Sequence, residues 1–228
     1  MNMTTIENAI ATIALALSLA WTGPASGRTA REVVEPTSAR PRPSTMDVAG
    51  VRLGMPLDAT QAALAGAYRC DRPLRSPSFR QLVDREVGKR RGVAEGFGPD
   101  GAAVGELVCT GPSGEYLRLF MAQTSGGTVV DRIDLTIGTG RVDPGQLIQQ
   151  IAGKYGRPTE GTAANGSWCS ARCGYDLTME PEPRITVRSD AWYFKILGSR
   201  GRSARLADDA AVKAAAAREA PAARRGAL

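Results

Sequence analysis

The stretch 129-VVDRIDLTI-137 decides how this chain is read. Ile133, Leu135 and Ile137 fall on one side of an extended backbone, and Arg132, Asp134 and Thr136 on the other. That period of two belongs to a strand with one buried face and one wet face. Toward the N-terminus, residues 105–110 and 115–122 form two further strand-like runs. Gly111-Pro112-Ser113-Gly114 and Ser125-Gly126-Gly127 supply the turns, so three strands follow one another in hairpins. Toward the C-terminus, Asp143 and Pro144 suit the N-cap and first position of a helix. It runs through Ile151 to Tyr155, Gly156 ends it, and Pro158 prevents its resumption. Short strand-like runs follow at 167–169, 175–179, 184–188 and 191–197. The gaps between them hold no crossover helix, so the sheet is expected to be antiparallel. The fold class read from this order is α+β, two-layer, with short helices on an antiparallel β-meander sheet.

Upstream, residues 48–53 read as a first strand, and 57-LDATQAALAGAY-68 as a short Ala/Leu-rich helix entered at Pro56. Residues 75–91 read as an amphipathic helix with Phe79, Leu82, Val83 and Val87 on one side. Lys89, Arg90 and Arg91 close it, where cations offset the helix dipole. Helix followed by meander therefore occurs twice, over 46–140 and 141–198. Ala65-Gly66-Ala67-Tyr68 matches Ala152-Gly153-Lys154-Tyr155 in the second unit. Tandem duplication and chance similarity both account for that match.

The run 50-GVRLGM-55, leading directly into a helix, resembles the entry of small bacterial envelope modules. These are the outer-membrane-assembly lipoproteins of the SmpA/OmlA type and the β-lactamase-inhibitory-protein-like domains. The resemblance implies a short helical segment on a three- or four-stranded antiparallel sheet, with two such modules in tandem in the inhibitor type. The chain departs from the pattern in having Met55-Pro56-Leu57 where a Ser or Thr cap is usual, and in lacking a lipidated Cys. No functional residue and no partner is carried over.

The net charge of +6 is unevenly spread. Residues 1–45 carry four Arg against three Glu, and residues 46–198 carry 18 basic against 17 acidic groups. Residues 199–228 hold seven basic and three acidic groups. A nearly neutral body lacks the concentrated basic face that phosphate neutralisation needs, so no nucleic-acid partner is expected. The chain has no His, which removes the commonest neutral-pH general base and metal ligand. No catalytic residue, cofactor site or metal site is assigned.

Residues 9–21, AIATIALALSLAW, are apolar over a length short of a bilayer span. With Gly23-Pro24 and the small residues Ala25, Ser26 and Gly27 after them, they read as a secretory signal (1–27) cleaved near Gly27. No Lys or Arg precedes the apolar run; an uncleaved anchor or a different start codon are the alternatives. Residues 28–45, with Pro36, Pro41 and Pro43, read as a flexible linker. Residues 46–198 are the globular body. The Ala/Arg-rich tail 199–228 is expected to be a detached helix or disordered. The location that follows is periplasmic or secreted.

Cys70, Cys109, Cys169 and Cys173 form an even set in an exported chain and are expected to be disulfide-bonded. Pairing Cys70 with Cys109 and Cys169 with Cys173 keeps each bridge within one helix-plus-meander unit. Without His, the short-spaced pair lacks the ligands of a zinc site and reads as structural.

Two motifs match by spelling alone. Gly96 to Gly101 fits G-x-G-x-x-G, but a helical segment precedes it and a strand follows, the reverse of a dinucleotide site. Asn165-Gly166-Ser167 reads as a turn, and neither Ser113 nor Ser167 has a nucleophile elbow. Trp192, Phe194 and Ile196 share one face of their strand and are expected in the core. Tyr193 and Lys195 then face outward as a contact surface. The function expected is a non-enzymatic envelope protein that binds or inhibits another protein. Alternatives are an enzyme using an unrecognised carboxylate or Tyr site, and a binder of anionic membrane surfaces through the tail.

Overall fold

Pro77 decides where the second helix starts. A residue before proline is pushed out of the helical region, so residues 74–76 are extended and the helix begins after Ser78. Ser78 Oγ accepts from the Gln81 N–H while Gln81 Oε1 accepts from the Ser78 N–H at 2.9 Å, a complete capping box. The reading of residues 75–91 as one helix is corrected to that extent.

The computed structural model describes residues 42–93, 96, 98, 100–170, 172–173 and 182–220. All lie within Ala39–Leu228, one of the two units into which the chain divides. The expected signal and most of the linker, the run 175–179 and the last eight residues lie outside the described residues. In order, the elements are β1 (Asp47–Val48), β2 (Val51–Arg52), α1 (Leu57–Leu64), β3 (Arg69–Cys70), β4 (Leu74–Ser76) and α2 (Phe79–Arg90). Then come β5 (Ala103–Thr110), β6 (Tyr116–Thr124), β7 (Gly127–Gly138) and α3 (Pro144–Tyr155). The last are β8 (Glu160–Gly161), β9 (Gly166–Cys169), β10 (Arg184–Ser189), β11 (Tyr193–Ser199) and α4 (Arg202–Glu219).

The fold is α+β, and the described pairings are antiparallel. The main sheet runs β3-β5-β6-β7-β11-β10-β9-β8, with β4 also on β5. Its two halves are helix-plus-meander units that meet at their last strands, β7 and β11. The four-residue match between the halves does not sit in equivalent structure. Tyr155 is the last residue of α3, whereas Tyr68 lies beyond the end of α1.

Residues 48–53, expected as one strand, are instead the tight β1–β2 hairpin, turning at Ala49 and Gly50, both at positive φ. This hairpin, α1 and α3 cover one face of the sheet. Val48, Val51, Leu64, Ile151 and Tyr155 join Leu117, Leu119, Ile133, Leu135, Ile185 and Phe194 in the core. The alternation of residues 132–137 holds, with Ile133 and Leu135 buried. One step earlier a bulge lets Phe120 pair with Arg132 and Met121 with Val130, leaving Asp131 as the extra residue. Val130 is thereby turned into the core.

The segment 199–228 is not a detached tail over its described part. Ser199 ends β11, and α4 packs on α2 through a second small core of Val83, Val87, Ala216 and Ala220. Arg80 bonds Glu219 across the two helices at 2.6 Å. Arg200 bridges Asp131 and Asp208. Small alanines let the helices approach closely, so a face without a classical apolar stripe still docks. The expected linker also ends early, because Pro43 is buried in a single 3-10 turn at 43–45.

α3 follows its sequence signals. Asp143 Oδ1 accepts from the Gln146 N–H at 2.8 Å, and Gly156 leaves the helix at φ 69°. The Tyr155 hydroxyl donates to the Asp47 carbonyl at 2.7 Å. Burial would raise the Asp47 carboxyl, but the Lys154 ammonium at 2.6 Å and the Gly50 N–H hold it below its ordinary range. Burial, aided by the charge of Asp47, pushes the Tyr155 phenol well above its ordinary 10.0. The unfolded chain therefore gives up this proton first as pH rises. The stability tied to the neutral phenol is intact below pH 10.0 and is lost above it. Tyr155→Phe is expected to cost about 1 kcal/mol at neutral pH through the lost hydrogen bond. It should also flatten the fall in stability between about pH 10 and pH 12, read from urea melts. An unchanged alkaline slope would refute the assignment.

Candidate functional site

The two faces of the sheet are treated differently. Opposite the covered face, cross-strand register lines side chains up in rows. Tyr116, Thr136, Lys195 and Arg188 form one row across β6-β7-β11-β10. Arg118, Asp134, Leu197, Thr186 and Ser167 form the next. Phe120, Arg132, Ser199, Arg184 and Cys169 form a third. Tyr116, Lys195 and Arg188 are exposed, and so is Tyr193, which pairs with the side-chain-free Gly138.

On the β5–β7 side of this face the cations are occupied. Arg118 bonds Glu106 at 2.8 Å, and the Arg118 and Arg132 guanidinium carbons lie 5.0 and 4.0 Å from the Phe120 ring centre. These are a charge-assisted pair and stacked cation–π contacts. On the β10–β11 side the arrangement is open. Arg188 and Lys195 are direct cross-strand partners, and among the described residues Arg188 has no ion pair. Beside them is a cavity of about 680 Å³ lined by Ser167, Arg184, Thr186, Arg188 and Lys195, with Glu160 and Asp190 among its further residues.

The floor of this cavity is a buried polar cluster. Arg184, 7% exposed, donates from Nε to Thr186 Oγ1 at 2.9 Å and from Nη2 to Ser167 Oγ at 3.0 Å. The two hydroxyl oxygens stand 3.1 Å apart. The turn before β9 brings Ser167 here. Gly166, the first residue of β9, must be glycine, because a Cβ would lie 2.3 Å from the Thr162 carbonyl oxygen. The Asn165 side chain ties the same turn to β10, donating to Ser189 Oγ and accepting from the Ser189 N–H.

Aromatic residues rim the face. Trp192, expected in the core, is 74% exposed. The strand starts only at Tyr193, and Trp192 sits in the preceding turn, where strand alternation does not apply. Phe194 and Ile196 are buried as expected. The turn is held by Asp190, whose Oδ1 accepts the Trp192 and Tyr193 N–H groups at 2.8 and 2.7 Å. Those bonds keep the Asp190 carboxyl below its ordinary range. Tyr193 is 48% and Tyr116 45% exposed. Tyr193 and Lys195 both stand on the exposed part of this face, with Trp192, Tyr116 and Arg188, which the sequence does not single out as a contact surface. Arg184, Thr186 and Arg188 alternate along one strand and could have been grouped from sequence. Their meeting with Lys195 and Ser167 depends on register.

The four cysteines are bridged, Cys70 to Cys109 between paired positions of β3 and β5, and Cys169 to Cys173 at the end of β9. Two disulfides fit a location outside the reducing cytoplasm. A smaller cavity of about 290 Å³ lies beside the first bridge, lined by Gln61, Leu64, Tyr68, Asp71 and Leu107 among others. Gly98 and Asp100 fall in the connection from α2 to β5, where their carbonyls accept from Gln81 Nε2. Among the described residues there is no cluster of metal-ligating side chains and no helix long and apolar enough to cross a membrane. The chain matches no protein-family model, no curated protein and no solved structure.

Proposed function

We propose that this chain is an exported, disulfide-bonded, non-enzymatic module that binds another protein through the exposed part of the sheet face opposite α1 and α3. The observation that carries this reading is the aromatic rim, Trp192, Tyr193 and Tyr116, standing beside Lys195 and Arg188 with no helix over them. Large aromatic side chains and arginine supply most of the binding energy in protein interfaces, and an exposed Trp is costly to keep in water without a partner. Export to the periplasm or beyond is supported by the two bridges and by the apolar run at 9–21. The paired helix-plus-meander halves also support a likeness to the tandem inhibitor-type envelope modules. Binding to anionic membranes through the tail is a weaker reading, because α4 spends its alanine face on α2.

The test compares the wild-type chain with Trp192→Ala/Tyr193→Ala in pull-downs from an envelope extract. A stoichiometric partner held by the wild type should be lost by the variant, with affinity reduced at least about thirtyfold when measured with the purified pair, for a loss of ~2 kcal/mol. Equal recovery by both chains would remove this face from consideration.

A further inference from the structure

We infer that the cavity over β9–β11 is a binding site for a small hydrophilic anion, whose carboxylate or phosphate group is held by Arg188, Lys195 and the Ser167/Thr186 hydroxyl pair. Like charges directly opposite each other on neighbouring strands repel, yet Arg188 and Lys195 are such a pair. Arg188 has no ion pair among the described residues, and the Asp190 carboxyl, which the charge of Lys195 helps to lower, already has its Oδ1 engaged by two backbone N–H groups. An oxyanion between the two cations turns the repulsion into two attractions.

The hydroxyl pair adds a directed donor. Both oxygens accept from the Arg184 guanidinium, and one hydroxyl hydrogen closes their mutual 3.1 Å contact. Two hydroxyls carry two hydrogens, so one O–H is left over beside a cavity that both residues line. Arg184 polarises that O–H toward donation to an anion. The acidic residues at the same cavity, Glu160 and Asp190, are both held by backbone donors, Glu160 Oε1 accepting from the Cys173 N–H at 3.3 Å.

The lining also sets the class of ligand. A volume of about 680 Å³ exceeds what a single oxyanion fills, so the charged group belongs to a larger body. Among the described residues, Val187 is the single apolar side chain in the lining; the others are glycine, polar or charged. That lining suits a hydroxylated carboxylate or phosphate, of the size of a sugar acid or sugar phosphate, better than a lipid tail.

Titration calorimetry on the full chain tests this with citrate, glucose 6-phosphate and inorganic phosphate, against glucose and added sodium chloride as controls. Citrate or glucose 6-phosphate should bind saturably and more tightly than inorganic phosphate, while glucose is silent. Arg188→Gln and Lys195→Gln should each weaken binding at least about tenfold, and the double variant should abolish it. Both positions are exposed, so melting temperatures without ligand should match the wild type. Trp192→Ala/Tyr193→Ala should bind the probes normally, which separates this site from the protein-docking rim. The inference is overturned if none of the three anions binds saturably, if chloride at equal ionic strength reproduces the signal, or if the double Gln variant binds as the wild type does.

Discussion

Trp168→Ala is expected to destabilise the chain by about 3–5 kcal/mol, a large share of the roughly 5–15 kcal/mol that holds a domain folded. Trp168 is 0% exposed and is the largest fully buried side chain among the described residues. Its indole meets the Tyr155 ring edge-on at 5.6 Å and donates from Nε1 to the Gly156 carbonyl at 3.3 Å. It thus pins the end of α3 to β9, where its cross-strand partner is Ile185. Truncation leaves a cavity that these backbone-anchored neighbours cannot refill. It also strips the Gly156 carbonyl of a donor. Urea unfolding should show a lower midpoint at unchanged slope. Trp168→Phe, which keeps the ring contact but not the donor, should lose markedly less. A Trp168→Ala chain within about 1 kcal/mol of wild type would mean that α3 does not depend on this contact.

The second large effect concerns Cys70–Cys109. The bridge spans 39 residues of sequence and joins β3 to β5, so replacing both cysteines by alanine should cost ~4 kcal/mol by the chain-entropy estimate. β3 is only two residues long and contributes few ladder hydrogen bonds of its own. Without the covalent tie this edge should fray first, and amide exchange should rise at residues 69–71 before the rest of the sheet. Removing Cys169–Cys173, with a separation of 4 residues, should cost at most ~2 kcal/mol. Equal destabilisation by the two replacements would contradict the loop-length argument. Reductant added to each single-bridge variant should give the same ranking.

Much of the fold was legible because its signals are local. Period-two alternation at residues 132–137 marked the strand, and Asp143-Pro144 with Gly156 marked both ends of α3. The start of α2 was also written locally, in Pro77 and the Ser78–Gln81 capping box, although apolar periodicity alone placed it four residues early. Trp192 was misplaced because alternation was extended past the end of the strand into a turn governed by Asp190. The tail was misread for a different reason. An alanine-rich helix has no stripe to announce its partner, and only α2, more than a hundred residues earlier, supplies the complementary face.

The functional surface divides along the same line. Residue types and spacing were enough to place Tyr193 and Lys195 outside, because that inference needs only the alternation of a few adjacent residues; for the cysteines they favoured one of three pairings, and the β3–β5 register decided it. Which strand lies beside which is set by long-range hydrogen bonding and by which faces bury apolar area together. That decided that β7 joins β11, that Arg188 stands opposite Lys195, and that Ser167, Thr186 and Arg184 close into one polar floor. A one-residue slip in any of those ladders would send the same side chains to the opposite face, so the site belongs to the tertiary structure.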